Sequence, residues 1–358
     1  MLRALPRRLA TRPGAVARRS PRLQRRTRPV GIAPGRGRLV AAGSAVRHSP
    51  RCASAQQPGS LLSARRGSWC GCSPRRHEGH RGLFRPEDRM LLAPVSPEAQ
   101  VRLRDEDARH LGDVPKAELA DKLRALTDRL DQLQGALHAE AKRAVLVVLQ
   151  GRDAAGKDGT IRRVFGPLDP QGLTVTGFKV PSPLELSHDF LWRIHRAVPA
   201  QGEIGIFNRS HYEDVLVVRV DRLVPEVVWR PRYEQINHFE RLLTESGVTI
   251  LKFFLHISPA EQRKRLLARL DDPAKYWKFD EDDLRKREQW DVYTEAYEEM
   301  LSRTSTAEAP WYVVPGDRKP VRNVAVAEVV VNALERLDPR YPPAPAGAET
   351  LRAGLNAP

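Results

Sequence analysis

Two short blocks of this 358-residue chain combine residue types that handle phosphate. The first, Gly151-Arg-Asp-Ala-Ala-Gly156-Lys157-Asp158-Gly159, fits the spacing G-x-x-x-x-G-K. Glycines at that spacing let the backbone turn tightly and aim its N–H groups at phosphate oxygens. Gly151, Ala154, Ala155, Gly156, Asp158 and Gly159 are therefore expected to cradle phosphate, and the helix that follows adds its positive end. Lys157 would set a point charge against the phosphates in transfer. Asp158 stands where such loops usually place the Ser or Thr that binds Mg²⁺. The metal must then be held differently, and Asp153 offers a carboxylate oxygen inside the loop. A loop-capping hydrogen bond is the alternative for Asp153. Arg162 and Arg163, just beyond the loop, are further phosphate candidates.

The second block is Asn208-Arg-Ser-His-Tyr-Glu-Asp214. Arg209 can stabilise phosphate charge bidentately. Glu213 and Asp214 are metal-ligand candidates, or simply the acids common at a helix start. Phosphoryl transfer between phosphates needs no general base, so His211 reads as structural or as a phosphate contact.

The elements around these blocks indicate how they are positioned. Ala144-Val-Leu-Val-Val-Leu149 is a continuous apolar run of strand length directly before the first block, and runs of this kind are strands buried on both faces. Similar runs recur at Leu173 to Phe178, Ile204 to Phe207, Val248 to Ile257 and Trp311 to Val314, so the second block also follows a strand. Helical patterns lie between them, including Leu184 to Arg196, Tyr233 to Ser246 and Pro259 to Leu270. This alternation predicts an α/β fold, a parallel sheet flanked by helices, with both blocks at the carboxyl ends of strands where ligands gather. Leucines at 119, 123, 126, 130, 133 and 137 predict a helix from Lys116 to Glu140 laid on the core, with a homo-oligomer seam as the alternative. Residues 271 to 304 mix dense charge with aromatics, which fits a mobile lid or a solvated helical pair. The domain that carries both blocks is placed at 90 to 340 and a flexible C-terminal tail at 341 to 358.

Charge is distributed unevenly. Residues 1 to 89 hold 21 of the 60 Lys and Arg, all Arg, against Glu78, Glu87 and Asp88, a charge of +18; the remaining chain carries −2. The overall +16 therefore describes the leader, and a nucleic-acid partner for the body is not expected. The leader reads as disordered. It is read as upstream sequence absent from the mature protein, a targeting segment, or a tail binding nucleic acid or polyphosphate. All three cysteines, Cys52, Cys70 and Cys72, lie in it, and C-x-C without a second pair is a weak metal signal. A cysteine-free body suits the reducing cytoplasm, and no apolar stretch is long enough to span a membrane.

Together with Lys275-Tyr-Trp-Lys-Phe279 and Thr304-Ser-Thr-Ala-Glu-Ala-Pro-Trp311, the two blocks resemble the polyphosphate kinase 2 family over about residues 90 to 340. The resemblance implies a thymidylate-kinase-like P-loop fold with a helical lid, Mg²⁺ dependence and a basic channel for polyphosphate. It implies transfer of the terminal phosphoryl of polyphosphate to AMP or ADP. The family's loop aspartate and lysine map onto Asp153 and Lys157, and its second-motif arginine onto Arg209. Many members carry Asp where Asn208 stands, which raises Asp214 as a substitute metal ligand beside Asp153. Of nine basic residues from Arg263 to Arg287, Lys275 and Lys278 are expected to bind the polyanion, anchored by Tyr276 and Trp277. The rival readings are a nucleoside monophosphate kinase with ATP as donor and a polyanion-binding protein acting through its leader.

Overall fold

The computed structural model describes residues 92–109 and 114–356. They belong to one of the chain's two compact units, His77–Pro358. The readings of the leader and its cysteines lie outside the described residues.

The apolar runs form five strands: β1 (Ala144–Gln150), β2 (Leu173–Gly177), β3 (Ile204–Asn208), β4 (Val248–His256) and β5 (Trp311–Pro315). They make one sheet in the order β2-β3-β1-β4-β5, with every neighbouring pair parallel. All seven residues of β1 are buried, as an uninterrupted apolar run requires of a central strand. Leu149 pairs with Asn208 across β1 and β3, so the segments that follow these strands emerge side by side. Strand order reverses there, which opens a crevice at the carboxyl ends.

The helices of the body are α1 (Lys116–Glu140), α2 (Lys157–Thr160), α3 (Pro183–Leu186), α4 (Trp192–His195), α5 (Val217–Val220), α6 (Glu226–Trp229), α7 (Arg232–Glu245), α8 (Pro259–Leu270), α9 (Asp282–Glu288), α10 (Trp290–Thr304), α11 (Lys319–Leu337) and α12 (Ala348–Leu355). On one face of the sheet Leu126, Leu130 and Leu137 of α1 join Val147, Val324 and Val330 in a single core. Each such leucine contributes roughly 2 kcal/mol by burial. The leucine stripe is thus spent inside the chain against α11, as the core reading expects. On the other face Leu146, Val148 and Phe207 pack with Ile236 of α7 and Met300 of α10.

Four expectations change. β2 is an edge strand with Thr174, Val175 and Gly177 exposed, because among the described residues no further strand pairs with its outer side. The helix expected from Leu184 to Arg196 is instead two single turns, α3 and α4. Between them the Ser187 hydroxyl donates to Leu184 O and Asp189 Oδ1 accepts from Leu191 N–H, local bonds that compete with a continuous helix. The expected lid contracts to about residues 271–289. Tyr293, Ala296, Tyr297, Met300 and Leu301 of α10 are buried, so 290–304 belongs to the body. The segment after 340 carries an exposed helix, α12. Among the described residues no helix is long and apolar enough to cross a membrane.

Candidate active site

The loop from Gly151 to Gly159 joins β1 to α2. Gly151 adopts φ 151° and Gly156 φ 107°, and a Cβ on Gly151 would meet Leu255 O at 2.7 Å. Ala154 also has positive φ, 63°, a conformation that costs a non-glycine residue energy and persists only where neighbours enforce it. Those neighbours are donors behind the loop. Gln262 Nε2 donates to Asp153 O at 3.0 Å, and Arg265 Nη1 donates to Ala154 O and Ala155 O at 3.0 Å each. Arg322 Nη1 donates to Ala155 O at 3.0 Å. The carbonyls of Asp153, Ala154 and Ala155 are thus held on this side, Ala155 N–H closes a turn onto Arg152 O at 3.1 Å, and no side chain caps the start of α2.

Lys157 is buried and donates to Gly151 O at 2.6 Å and Arg152 O at 3.3 Å. Burial, reinforced by Arg209, lowers its pKa to about 8. Asp153 Oδ1 accepts from Arg209 Nη2 at 2.8 Å, and Oδ2 lies 3.4 Å from Lys286 Nζ. Burial opposes ionisation of this carboxyl, but Lys157, Arg209 and Lys286 outweigh it and lower its pKa to about 2. Arg209 is in the left-handed region at φ 63°, with its N–H bonded to Leu149 O at 3.1 Å. Burial alone would lower its pKa; Glu213 and Asp153 raise it instead. The Gln150 amide, oriented so that both its ends are satisfied, donates to Glu213 Oε1 at 3.0 Å and accepts from Ser210.

Asp153, Arg209 and Glu213 line a cleft of about 290 Å³ together with Gly151 and Lys286, while Lys157 is held on the carbonyls of Gly151 and Arg152. Its outer wall is more apolar, with Phe178, Val180, Pro181 and Leu223. Helix α9 lies across it: Arg285 reaches both carboxylate oxygens of Asp221 at 3.1 Å, Lys286 reaches Asp153, and Arg287 donates to Pro259 O and to Gln262 Oε1. Arg152 stacks over the Trp290 ring, 3.7 Å from its centroid, and ties the loop to the start of α10. Burial lowers the Arg152 pKa to about 10.

The sequence-predicted residues distribute unevenly around this cleft. Asp153, Lys157 and Arg209 come together. Asp214 does not join them, because its Oδ1 accepts from Arg232 Nη1 at 2.9 Å; Glu213, its neighbour, faces the cleft instead. Asp158 accepts from Asn208 Nδ2 at 2.8 Å and lies 3.9 Å from Lys278 Nζ, so the segment Pro273–Lys278 reaches the start of α2. Lys275 is held by Asp272 at 2.5 Å, while Tyr276 and Trp277 are exposed and do not anchor it in the body. Lys278 does lie over the Trp277 ring, at 4.9 Å. Arg162 is exposed on the π-turn that follows α2. His211 is structural: its Nε2 lies 3.2 Å from Glu240 Oε1, in a buried network where Lys252 donates to Glu240, Tyr212 and Thr304. Gln262, on the charged helix α8, and Arg322, on the apolar helix α11, carried no signal in the sequence. Among the described residues no three His, Cys, Asp or Glu side chains form a metal-binding group.

Residues 113–342 match the family model described as Polyphosphate kinase 2. The chain belongs to the polyphosphate kinase 2 family. All four sequence blocks that carry the resemblance fall inside the matched span. Among members of this family, the chain is 50% identical over 259 residues to an AMP/ADP-polyphosphate phosphotransferase of Meiothermus ruber, covering 72% of this chain and 97% of that protein. It is 48% identical over 232 residues to an ADP-polyphosphate phosphotransferase of Rhodopseudomonas palustris, covering 62% and 80%. The crystal structure of polyphosphate kinase 2 from Arthrobacter aurescens superposes with a TM-score of 0.68 at 41% identity, covering 74% of this chain and 98% of that one. The five-stranded parallel sheet is thus the family's α/β fold.

Proposed function

We propose that the protein transfers the terminal phosphoryl group of inorganic polyphosphate to AMP and ADP, and runs the same reaction in reverse from ATP. The observation that carries this reading is the convergence of Lys157, Arg209 and Asp153 on a loop whose carbonyls are tied behind it, in a chain 72% of which is half identical to nearly the whole of an AMP/ADP-polyphosphate phosphotransferase. The donor's end would occupy the loop's N–H edge, and the acceptor nucleotide the cleft running out toward Phe178 and Leu223. Lys157 and Arg209 stabilise charge that builds on the transferring group, and the cleft holds acceptor and donor in line. No proton need be abstracted from a phosphate acceptor, in keeping with the structural role of His211.

Mg²⁺ takes oxygen ligands, commonly one or two carboxylates beside phosphate oxygens. Asp153 and Glu213 line one cleft and form such a donor set, so these residues fit the ion. When bound, it would neutralise phosphate charge. Asp153 is meanwhile shared with Arg209 and Lys286, which hold it ionised and in place.

The test is nucleotide formation by the full chain with polyphosphate, Mg²⁺ and either AMP or ADP, beside Lys157→Ala. Product from either acceptor, abolished by the substitution, is expected. Turnover of AMP with ATP as donor and none with polyphosphate would make the protein an ordinary nucleoside monophosphate kinase.

A further inference from the structure

Arg322 occupies the first turn of α11 and is 2% exposed. Its Nη1 donates to Ala155 O at 3.0 Å, and its Nε and Nη2 donate to Asn323 Oδ1 at 3.2 and 2.9 Å. Every acceptor it has among the described residues is neutral. The charged group that influences it most is Arg265, a second cation. Arg265 is itself paired with Glu261, Nε to Oε1 at 2.9 Å, and the exposed Lys319 adds a third cation on the same side. Glu261, which also faces Lys264 at 3.8 Å, makes no contact with Arg322, so the guanidinium of Arg322 has cations and neutral acceptors beside it.

The surplus charge lies against the phosphate loop. A Cβ on Gly156 would fall 1.9 Å from Arg322 Nη1, and one on Gly159 3.3 Å from Nη2, so the guanidinium packs directly against the glycine that precedes Lys157 and the first turn of α2. Holding a carbonyl in place does not require charge. Gln262 does the same for the adjacent Asp153 O with a neutral amide, also at 3.0 Å. A buried cation without a counter-ion is a burden on the folded protein, and it becomes an asset when an anion arrives nearby in a medium of low dielectric.

We propose that Arg322 is a positioning residue for the donor, a buried charge whose counter-ion is the phosphate chain resting on the opposite side of loop 151–159. It acts through the loop backbone and touches no substrate. The inference rests on the phosphate-loop reading of the site, and it holds for whichever phosphate chain fills that loop.

The experiment compares the full-length wild type with Arg322→Gln, which keeps a donor for Ala155 O without the charge, and Arg322→Lys, which keeps the charge. Affinity is measured by calorimetry for inorganic tripolyphosphate and for ATP, KM is measured for donor and acceptor, and ligand-free unfolding is recorded. Arg322→Gln is expected to bind the chain about 30-fold more weakly, equivalent to about 2 kcal/mol, with acceptor KM within about threefold of wild type. Its ligand-free melting temperature should equal or exceed that of wild type, because a burden has been removed. Arg322→Lys should recover most of the affinity. A Gln variant that binds as wild type, a Gln variant that melts earlier or does not fold, or a Lys variant as impaired as Gln would each overturn the proposal. Should the wild type bind ATP and not tripolyphosphate, the polyphosphate assignment fails, and the Arg322 comparison is decided with ATP.

Discussion

Asp153→Asn should weaken the ligand-free protein as well as its chemistry. The carboxylate contacts Arg209 at 2.8 Å and Lys286 at 3.4 Å, and its pKa falls from 3.8 to about 2. At 1.36 kcal/mol per unit this corresponds to roughly 2 kcal/mol of stability at neutral pH. The side chain is only 19% exposed, so solvent screening trims that figure modestly. Because the folded-state pKa is depressed, the contribution is fully present above the unfolded value of 3.8 and lost as pH falls through about 2. Linkage puts it at about half its neutral value by pH 3. Asparagine keeps the size and loses the charge, leaving both cations without this partner. In a domain of this size the variant should melt about 4–8 °C below wild type at pH 7. Circular dichroism of both proteins at pH 7, 4 and 3, without nucleotide or metal, follows the gap as it narrows. Phosphotransfer by the variant should fall by about two orders of magnitude or more. Equal melting temperatures at pH 7, or a deficit that does not shrink toward pH 3, would refute the account of Asp153 as an ion-paired carboxylate.

Lys157 has a ligand-free pKa of about 8 and must be charged to meet phosphate, so kcat/KM for the donor should decline as pH rises through 8, while a bound chain moves the corresponding limb of kcat higher. A kcat/KM profile flat to about pH 9.5 would contradict the burial argument. Glu213→Gln should raise the Mg²⁺ concentration for half-maximal rate about tenfold, whereas Asp214→Asn should leave it unchanged and lower the melting temperature by freeing Arg232. The opposite pattern would return the metal role to Asp214. Arg285→Ala removes the bidentate contact between α9 and Asp221, and limited proteolysis within residues 271–289 should become faster. Equal cutting rates would show that this contact does not hold the lid.

The body's architecture was legible where burial is uniform along an element. β1 is apolar at nearly every position because both faces are covered, and α1 shows its leucine stripe because one side alone meets the core. Legibility fails where local chemistry or charge obscures the pattern. Ser187 and Asp189 break a helix that hydropathy alone would continue, by offering side-chain partners to the backbone. In α10 the stripe Tyr293, Ala296, Tyr297, Met300 and Leu301 has helical spacing, but the charges between these positions suggested an exposed lid. β2 reads as a buried strand until its place at the edge of the sheet is known.

The site divides along a similar line. Gly151, Gly156 and Lys157 were recognisable because a phosphate loop requires those residue types at that spacing. The carboxylate that faces the cleft was misplaced by one residue, since the 3₁₀ turn His211–Val215 sends adjacent side chains in different directions and only its geometry distinguishes Glu213 from Asp214. Gln262, Arg265 and Arg322 left no motif, because they act across the fold and their task can be met from any element that comes within reach. A donor is needed behind a carbonyl, and α8 and α11 happen to bring one there. Their types still carry information once the contacts are known. A neutral amide suffices for Asp153 O, so the charge placed behind Ala155 O answers to something beyond the loop's own shape, and the anion that the loop is built to hold is the group that accounts for it.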